Sequence, residues 1–150
     1  MNVLTTQFSL ETRSLDIYLA GCRGPHCKNC HNPESWDFNK GIPWRDALVD
    51  INRKINFFPD LIENIMIFGG EPFDQDHEKL ETFLWYLDRN CLDIWLFTRL
   101  KPLEVPQFAK RYLAYLKCGR YEENMRGEKE QYGIKLASTN QHIFKKGVDF

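Results

Sequence analysis

The sequence predicts an α/β protein built on a small, open, barrel-like sheet. Apolar segments without alternation, such as 15–20 (LDIYLA), 65–68 (IMIF) and 92–98 (LDIWLFT), are typical of parallel strands that are covered on both faces. Segments with helical spacing lie between these strands, which predicts βαβ units. We expect about four to six mainly parallel strands, too few for a complete eight-stranded barrel. The length of 150 residues fits one domain over 1–150.

Two longer segments have the spacing of amphipathic helices. Pro43 suits a first helical turn, and apolar residues recur at helical intervals over 43–58. A second helical segment covers 74–90, where Asp74 and Asp76 favour the helix N-terminus. The residues that we expect to face the core are Ala47, Leu48, Ile51, Ile55 and Phe58 in the first helix, and Leu80, Phe83, Leu84 and Leu87 in the second.

The remainder of the chain has weaker signals. We expect a short helix near 105–110, a strand within 111–118 and a final strand over 141–146. Residues 119–140 have no clear period, so we expect them to be mostly loop.

The charge and hydropathy patterns argue against several classes of function. The net charge is −1, from 20 basic and 21 acidic residues, so nothing predicts general binding to nucleic acid or to an anionic membrane. No apolar run approaches the roughly 18 residues that span a bilayer. The N-terminus has no basic region followed by an apolar stretch, and we therefore expect a cytoplasmic protein.

Three of the five cysteines lie in a polar segment over 22–40, which we expect to be a long loop. Cys22, Cys27 and Cys30 have the spacing Cys-x4-Cys-x2-Cys. Thiolates are soft ligands that suit iron–sulfur clusters, zinc or copper(I). Three cysteines on a four-iron cluster leave one iron without a protein ligand and open to a substrate. The alternatives are a structural zinc site with His26 or His31 as the fourth ligand, and a group of reactive or disulfide-bonded thiols.

The other two cysteines stand alone in the sequence. A cluster that only transfers electrons normally has a fourth cysteine, but neither Cys91 nor Cys118 lies in a comparable loop. We expect both to be small residues in or near the core.

A glycine-rich turn, Gly69-Gly70-Glu71-Pro72, directly follows the second buried strand. Glycine allows the backbone to approach a ligand closely, and the Glu71 carboxylate is a suitable acceptor for a ligand ammonium group. A tight strand-to-helix turn is the alternative explanation. The carboxyl ends of parallel strands meet at one edge of a sheet, so we expect this turn and the cysteine loop to lie together.

Four stretches of the chain together resemble a known family. CHNPESW (30–36) is similar to the exit of a cluster loop, and FGGEPFDQD (68–76) to a glycine–glutamate motif. LKCGRYEENMRG (116–127) and LASTNQHIF (136–144) are similar to a characteristic C-terminal segment. Together these stretches resemble the radical S-adenosylmethionine superfamily and, more closely, the activating enzymes of anaerobic (class III) ribonucleotide reductase.

The resemblance implies a small open partial (β/α) barrel of the radical SAM type. It also implies a [4Fe-4S] cluster on Cys22, Cys27 and Cys30, with S-adenosyl-L-methionine as the ligand of the fourth iron. The chain departs from the family in having four residues rather than three between the first two cysteines. A second departure is Asn29, where the superfamily often has an aromatic residue and the subfamily often glycine. The residues expected to contact the cofactor are Gly69, Gly70, Glu71, Asn29, Thr98 and Arg99.

The implied activity is reductive cleavage of S-adenosylmethionine, which generates the glycyl radical of the anaerobic reductase. The implied partners are the reductase large subunit and an electron donor of flavodoxin or ferredoxin type. Residues expected to face the partner are Arg120, Tyr121, Asn124, Arg126 and Asn140, although a solvated surface loop explains them equally well. For Thr98 and Arg99, the alternative to contact with the cofactor is a capping role. A radical enzyme acting on another protein or on a small molecule, and a non-enzymatic zinc or iron–sulfur module, also remain open.

Overall fold

The computed structural model describes all residues from 1 to 150. It contains nine strands and three α-helices, joined by loops with short 3-10 turns. The strands are β1 (Asn2–Ser9), β2 (Ser14–Ala20), β3 (Ile42–Pro43), β4 (Asn64–Gly69), β5 (Asp93–Phe97), β6 (Tyr115–Cys118), β7 (Arg126–Gln131), β8 (Ile134–Ser138) and β9 (His142–Lys145). The helices are α1 (Trp44–Phe57), α2 (His77–Asp88) and α3 (Gln107–Lys110).

Seven strands form one mixed sheet with the order β3-β1-β2-β4-β5-β6-β9. The four central strands β2, β4, β5 and β6 run parallel to one another. The outer strands β1, β3 and β9 are antiparallel to their neighbours. The parallel strands and the helices between them match the predicted βαβ pattern, whereas the barrel of the radical SAM type stays a prediction.

The two long helices cover one face of the sheet, as their apolar spacing predicts. Ala47, Ile51 and Ile55 of α1 are buried in the main core, and Leu48 and Phe58 pack against it. All four predicted positions of α2 are buried there as well. Leu15, Ile17 and Leu19 of β2 complete the core from the sheet side, together with alternate residues of β4 and β5.

Helix α2 begins later than its spacing predicts. Asp76 is its N-cap, since its side chain accepts a hydrogen bond from the Lys79 backbone N–H at 3.0 Å. Asp74 lies before the helix in a 3-10 turn, Pro72–Asp74, and its carboxylate has partners elsewhere, described below.

A β-hairpin lies against the opposite face of the sheet. Strands β7 and β8 pair with each other, and Leu136 of β8 packs with Met66, Trp95 and Ile143 in a second, smaller core. The expectation that 119–140 is mostly loop is therefore wrong. β7 has the sequence RGEKEQ and no apolar residue, so the pairing with β8 and the tight turn, rather than hydrophobic pattern, determine its strand conformation.

Strand β1 is a second element without a sequence prediction, and it extends the sheet beyond β2. Only Val3 of this strand is fully buried, which explains its weak apolar signal. No helix of the structure is both long enough and apolar enough to cross a membrane.

Candidate metal centre

The three clustered cysteines line a single cavity at the carboxyl ends of the parallel strands. This cavity has a volume of about 340 Å³, near the lower end of the range that is typical of small-molecule sites. Cys22, Cys27 and Cys30 form part of its wall, and the turn after β4 forms another part. The predicted meeting of the cysteine loop and the Gly69–Glu71 turn is confirmed by this arrangement.

The cysteine loop closes on itself at its base. The Gly21 backbone N–H donates to the Ser35 carbonyl at 2.7 Å, and the Cys22 N–H donates to the Trp36 carbonyl at 3.1 Å. His26 stacks on Trp36 with ring centroids 3.8 Å apart, and its Nε2 lies 2.8 Å from the Cys22 carbonyl oxygen. These contacts hold the loop ends together, so all three thiols come from one locally ordered segment.

The turn after β4 packs directly against the base of the cysteine loop. The Gly70 N–H donates to the Leu19 carbonyl at 2.8 Å, and the Glu71 N–H donates to the Gly21 carbonyl at 3.0 Å. A Cβ atom on Gly70 would overlap the Gly21 carbonyl oxygen. Gly69 has a φ of +98°, a conformation that glycine adopts readily. Close contact between two backbone segments therefore explains these glycines without any ligand.

Glu71 is buried beneath the cavity, with 4% of its surface exposed. Its carboxylate accepts hydrogen bonds from the Thr98 hydroxyl at 2.6 Å and from the Arg99 backbone N–H at 2.9 Å. The Phe73 backbone N–H is a third donor, at 3.2 Å. Burial raises the pKa of Glu71, and these hydrogen bonds oppose the shift. The carboxylate thus braces the protein itself, and its contact with a ligand ammonium stays a prediction.

Thr98 and Arg99 follow β5 and serve the site through protein contacts. The Thr98 hydroxyl donates to Glu71 and accepts from the Leu100 N–H at 3.1 Å, which is a local turn and not a helix cap, since the next 3-10 turn has Lys101 as its N-cap. The Arg99 guanidinium donates to Asp74 at 2.8 Å, and its Nη1 lies 3.5 Å from Cys22 Sγ. Burial raises the pKa of the Cys22 thiol, and Arg99 partly opposes that shift.

Asp74 and Gln75 are site residues that the sequence analysis missed. Asp74 accepts from the Arg23 backbone N–H at 2.6 Å as well as from Arg99. Gln75 is buried, and its side-chain amide donates to the Gly21 carbonyl at 3.1 Å. Both belong to the stretch FGGEPFDQD, but their partners lie in other segments, so no local spacing reveals these contacts.

The C-terminal segment reaches the cysteine loop through Arg120. Its Nε donates to Cys27 Sγ at 3.4 Å, and its Nη2 donates to the Pro25 carbonyl. Asn140 donates to the Arg120 carbonyl at 2.9 Å, while its own buried Oδ1 has no hydrogen-bond partner. Arg120 and Asn140 are therefore part of the site's framework rather than a free surface.

The other residues expected to face a partner are Tyr121, Asn124 and Arg126. Tyr121 lines the cavity, packs against His31 and donates from its hydroxyl to Glu123. Asn124 and Arg126 are exposed. Asn29, expected to contact a cofactor, is exposed with a φ of +55° and does not line the cavity.

The two remaining cysteines lie away from the cavity wall. Cys118 is 2% exposed within the main core, as predicted, and burial raises the pKa of its thiol to about 12. Cys91 is exposed at the end of the turn after α2, so its expected place in or near the core is wrong. Its φ of +56° places it in a tight connection where the backbone, rather than packing, determines the position.

The donor set fits an iron–sulfur cluster. Three cysteine thiols, which are soft ligands, line one cavity. Two arginine side chains reach the thiols and can offset the negative charge of a thiolate-bound cluster.

Comparison with known proteins agrees with this donor set. Residues 12–144 match the family described as a 4Fe-4S single cluster domain. No curated protein matches the chain. The family match covers most of the sequence, including every cysteine of the loop and all four parallel strands. The chain therefore belongs to the 4Fe-4S single cluster domain family and is an iron–sulfur protein.

Proposed function

We propose that this protein is a radical S-adenosylmethionine enzyme that generates the glycyl radical of anaerobic ribonucleoside-triphosphate reductase. When bound, the [4Fe-4S] cluster supplies one electron that cleaves S-adenosylmethionine into methionine and a 5′-deoxyadenosyl radical, which takes a hydrogen atom from a glycine of the reductase. The electron would come from a donor of flavodoxin or ferredoxin type. The protein contributes binding, orientation and exclusion of water.

One observation carries the proposal: a single loop supplies three cysteine thiols to the cavity, and no fourth cysteine lines it. Cys22, Cys27 and Cys30 would hold three irons, while Cys118 is enclosed in the core and Cys91 is exposed away from the cavity. The fourth iron is then available to an external ligand. The amino and carboxylate groups of S-adenosylmethionine are the chelating pair that the family resemblance implies.

The cavity wall offers partners for the two ends of such a ligand. Gly70 lines the wall and no protein group donates to its carbonyl, which leaves that oxygen as an acceptor for an ammonium group. Lys117 also lines the wall and uses one N–H on the Gly119 carbonyl at 2.9 Å. Its other N–H groups are available to a carboxylate, although burial lowers the pKa of Lys117 to about 8.

Two aromatic side chains form an apolar part of the cavity wall. Phe68 and Phe97 line the cavity with ring centroids 4.3 Å apart. A flat, weakly polar surface of this kind suits a nucleoside base. A reactive carbon radical abstracts hydrogen from whatever it meets, so a protein partner that covers the cavity would protect the reaction. The exposed side chains of Asn124 and Arg126 are the proposed contacts for that partner.

The test is product analysis after anaerobic reconstitution with iron and sulfide. The reduced protein, mixed with S-adenosylmethionine, is expected to release 5′-deoxyadenosine and methionine, and Cys30→Ala is expected to release neither. Addition of the reductase should give a glycine-centred doublet in the electron paramagnetic resonance spectrum. Absence of 5′-deoxyadenosine from a protein with a full cluster would overturn the proposal in favour of an electron-transfer module.

The same experiment separates the proposed target from others. Release of 5′-deoxyadenosine without a glycine doublet would keep the radical chemistry and reject the reductase as substrate. The substrate would then be another protein or a small molecule.

A further inference from the structure

We infer that Arg99 and Arg120 form a guanidinium clamp on the cysteine loop, which donates hydrogen bonds to two cluster thiolates and raises the reduction potential of the bound cluster. The inference concerns the cluster of this iron–sulfur protein and its proposed ligands Cys22, Cys27 and Cys30. It does not require that the protein cleave S-adenosylmethionine.

The two arginines reach different sulfur atoms from different strands. Arg99 follows β5, and its Nη1 donates to Cys22 Sγ at 3.5 Å. Arg120 follows β6, and its Nε donates to Cys27 Sγ at 3.4 Å. Sulfur is larger than oxygen, so these distances are those of N–H···S hydrogen bonds. No side chain donates to Cys30 in this way, which makes the arrangement unsymmetrical.

Both guanidinium groups also bind the backbone between the first two cysteines. Arg99 Nη1 donates one N–H to the Arg23 carbonyl at 2.7 Å, and its second N–H is shared between Cys22 Sγ and the Pro25 carbonyl at 3.4 Å. Arg120 Nη2 donates to the same Pro25 carbonyl. These bonds fix the four-residue spacer between Cys22 and Cys27. This spacer is one residue longer than is usual in the radical SAM family that the chain resembles. The clamp thus holds the longer spacer and directs N–H groups to the sulfurs at each end of it.

Arg99 is itself held in place by two acidic side chains, the partly buried Asp74 and the buried Glu71. Its Nη2 pairs with Asp74 at 2.8 Å, and its Nε lies 3.8 Å from Glu71. Its side chain is only 19% exposed, so solvent screens its charge weakly. With these partners the guanidinium has little capacity left for a ligand carboxylate, and the predicted cofactor contact of Arg99 is better explained as a contact with the thiolate.

The expected direction of the effect follows from charge. Reduction adds one electron to a cluster that the thiolates already make negative, and a cationic N–H donor stabilises the reduced form more than the oxidised form. Hydrogen bonds to the sulfurs and net charge are established determinants of cluster potential. Removal of one donor is therefore expected to make the cluster harder to reduce.

The experiment is a redox titration of the reconstituted protein, followed by visible absorbance and electron paramagnetic resonance. Arg120 is the first target because it has no buried ion pair whose loss would disturb folding. In Arg120→Met the ratio of reduced to oxidised cluster at a fixed potential is expected to fall about tenfold, which corresponds to ~59 mV for one electron. Arg120→Lys keeps the charge but loses the fork of donors, so its shift should be smaller and in the same direction.

The matched control is Lys28→Met. Lys28 is an exposed cation within the same loop, next to Cys27, and it has no hydrogen bond to a sulfur. A potential that shifts equally in Lys28→Met and Arg120→Met would overturn the inference, since net charge alone would then explain both. An unchanged potential in Arg120→Met would overturn it as well.

Iron content and cluster absorbance, measured first, separate this inference from the assignment of the ligands. The potential is read on the loaded fraction of each variant, so partial loading does not affect it. A Cys27→Ser variant with a full cluster and unchanged spectra would reject the ligand assignment itself. Failure to form 5′-deoxyadenosine would leave the potential shift intact and would count only against the proposed enzyme activity.

Discussion

The backbone N–H of Glu71 donates to the Gly21 carbonyl at 3.0 Å, and this bond joins the turn after β4 to the residue that precedes the first cysteine. The two backbone segments approach so closely that no side chain fits on Gly70. The position of the cysteine loop therefore depends on the glycine turn of the neighbouring strand.

Replacement of Gly70 by alanine tests that dependence. The Cβ of Gly70→Ala would meet the Gly21 backbone, which cannot move without displacing the loop. We expect a loss of about 2 kcal/mol or more in the free energy of unfolding, with reduced iron content after reconstitution. Gly24→Ala is the control, because a Cβ there meets no atom within 4 Å. Equal iron content and stability in the two variants would contradict the account.

The assignment of the cluster ligands predicts a clear division among the cysteines. Alanine at Cys22, Cys27 or Cys30 should abolish the stable cluster, since each removes one of three thiolates. Alanine at the exposed Cys91 should leave iron content and absorbance unchanged. Iron analysis and visible spectra after anaerobic reconstitution provide the measurement. A cluster lost in Cys91→Ala would require a different ligand set.

The buried brace around Glu71 predicts a large effect on stability. In Glu71→Gln only one acceptor oxygen remains for donors on Thr98, Arg99 and Phe73, and Arg99 loses a nearby countercharge. We expect the free energy of unfolding of the cluster-free protein to fall by about 2 kcal/mol in urea denaturation.

An exposed ion pair supplies the comparison for that variant. Glu81 pairs with Arg111 at the surface, so Glu81→Gln should cost less than about 1 kcal/mol. Similar losses in both variants would show that burial of Glu71 contributes nothing to the fold.

Asp50 predicts a pH dependence of stability outside the site. Its hydrogen bond with Lys54, along with those from Thr6 and Arg53, lowers the pKa of Asp50 to about 2 from 3.8. A lowered carboxyl pKa stabilises the fold above pH 3.8, and this contribution is lost as the pH falls towards 2. Because the side chain is about one-third exposed, we expect Asp50→Asn to cost only ~1 kcal/mol at neutral pH.

Urea denaturation of the wild type and Asp50→Asn across this range provides the measurement. The difference between the two proteins should shrink as the pH approaches 2. A difference that stays constant with pH would mean that the charge on Asp50 is not its source.

The sequence predicts the parts of the site that depend on local pattern. The cysteine spacing and the glycine turn each follow a buried strand, and parallel strands bring their carboxyl ends to one edge. The helix stripes are equally local, because residues such as Ile51 and Leu84 recur at helical intervals on one face.

Contacts between distant segments had no local signal. Arg99 and Arg120 lie 77 and 93 residues from the cysteines that they contact, so the sequence marks both as candidate site residues but no local spacing pairs either arginine with its sulfur. Asp74 resembles a helix cap in sequence, yet its partners are Arg99 and the Arg23 backbone.

The hairpin was missed for a different reason. Its first strand is entirely polar or charged, so hydrophobic period gives no indication of it. The available signal was Tyr132-Gly133, a two-residue turn in which both residues have positive φ and which joins two strands tightly.

The most direct test of the central claim is a Mössbauer spectrum of the iron-isotope-enriched, reconstituted protein with and without S-adenosylmethionine. If three thiolates hold the cluster and leave one iron open, one iron of the four should change its signal when the ligand is added while the others keep theirs. If the signals of all four irons were unchanged when S-adenosylmethionine is added, the result would contradict the account.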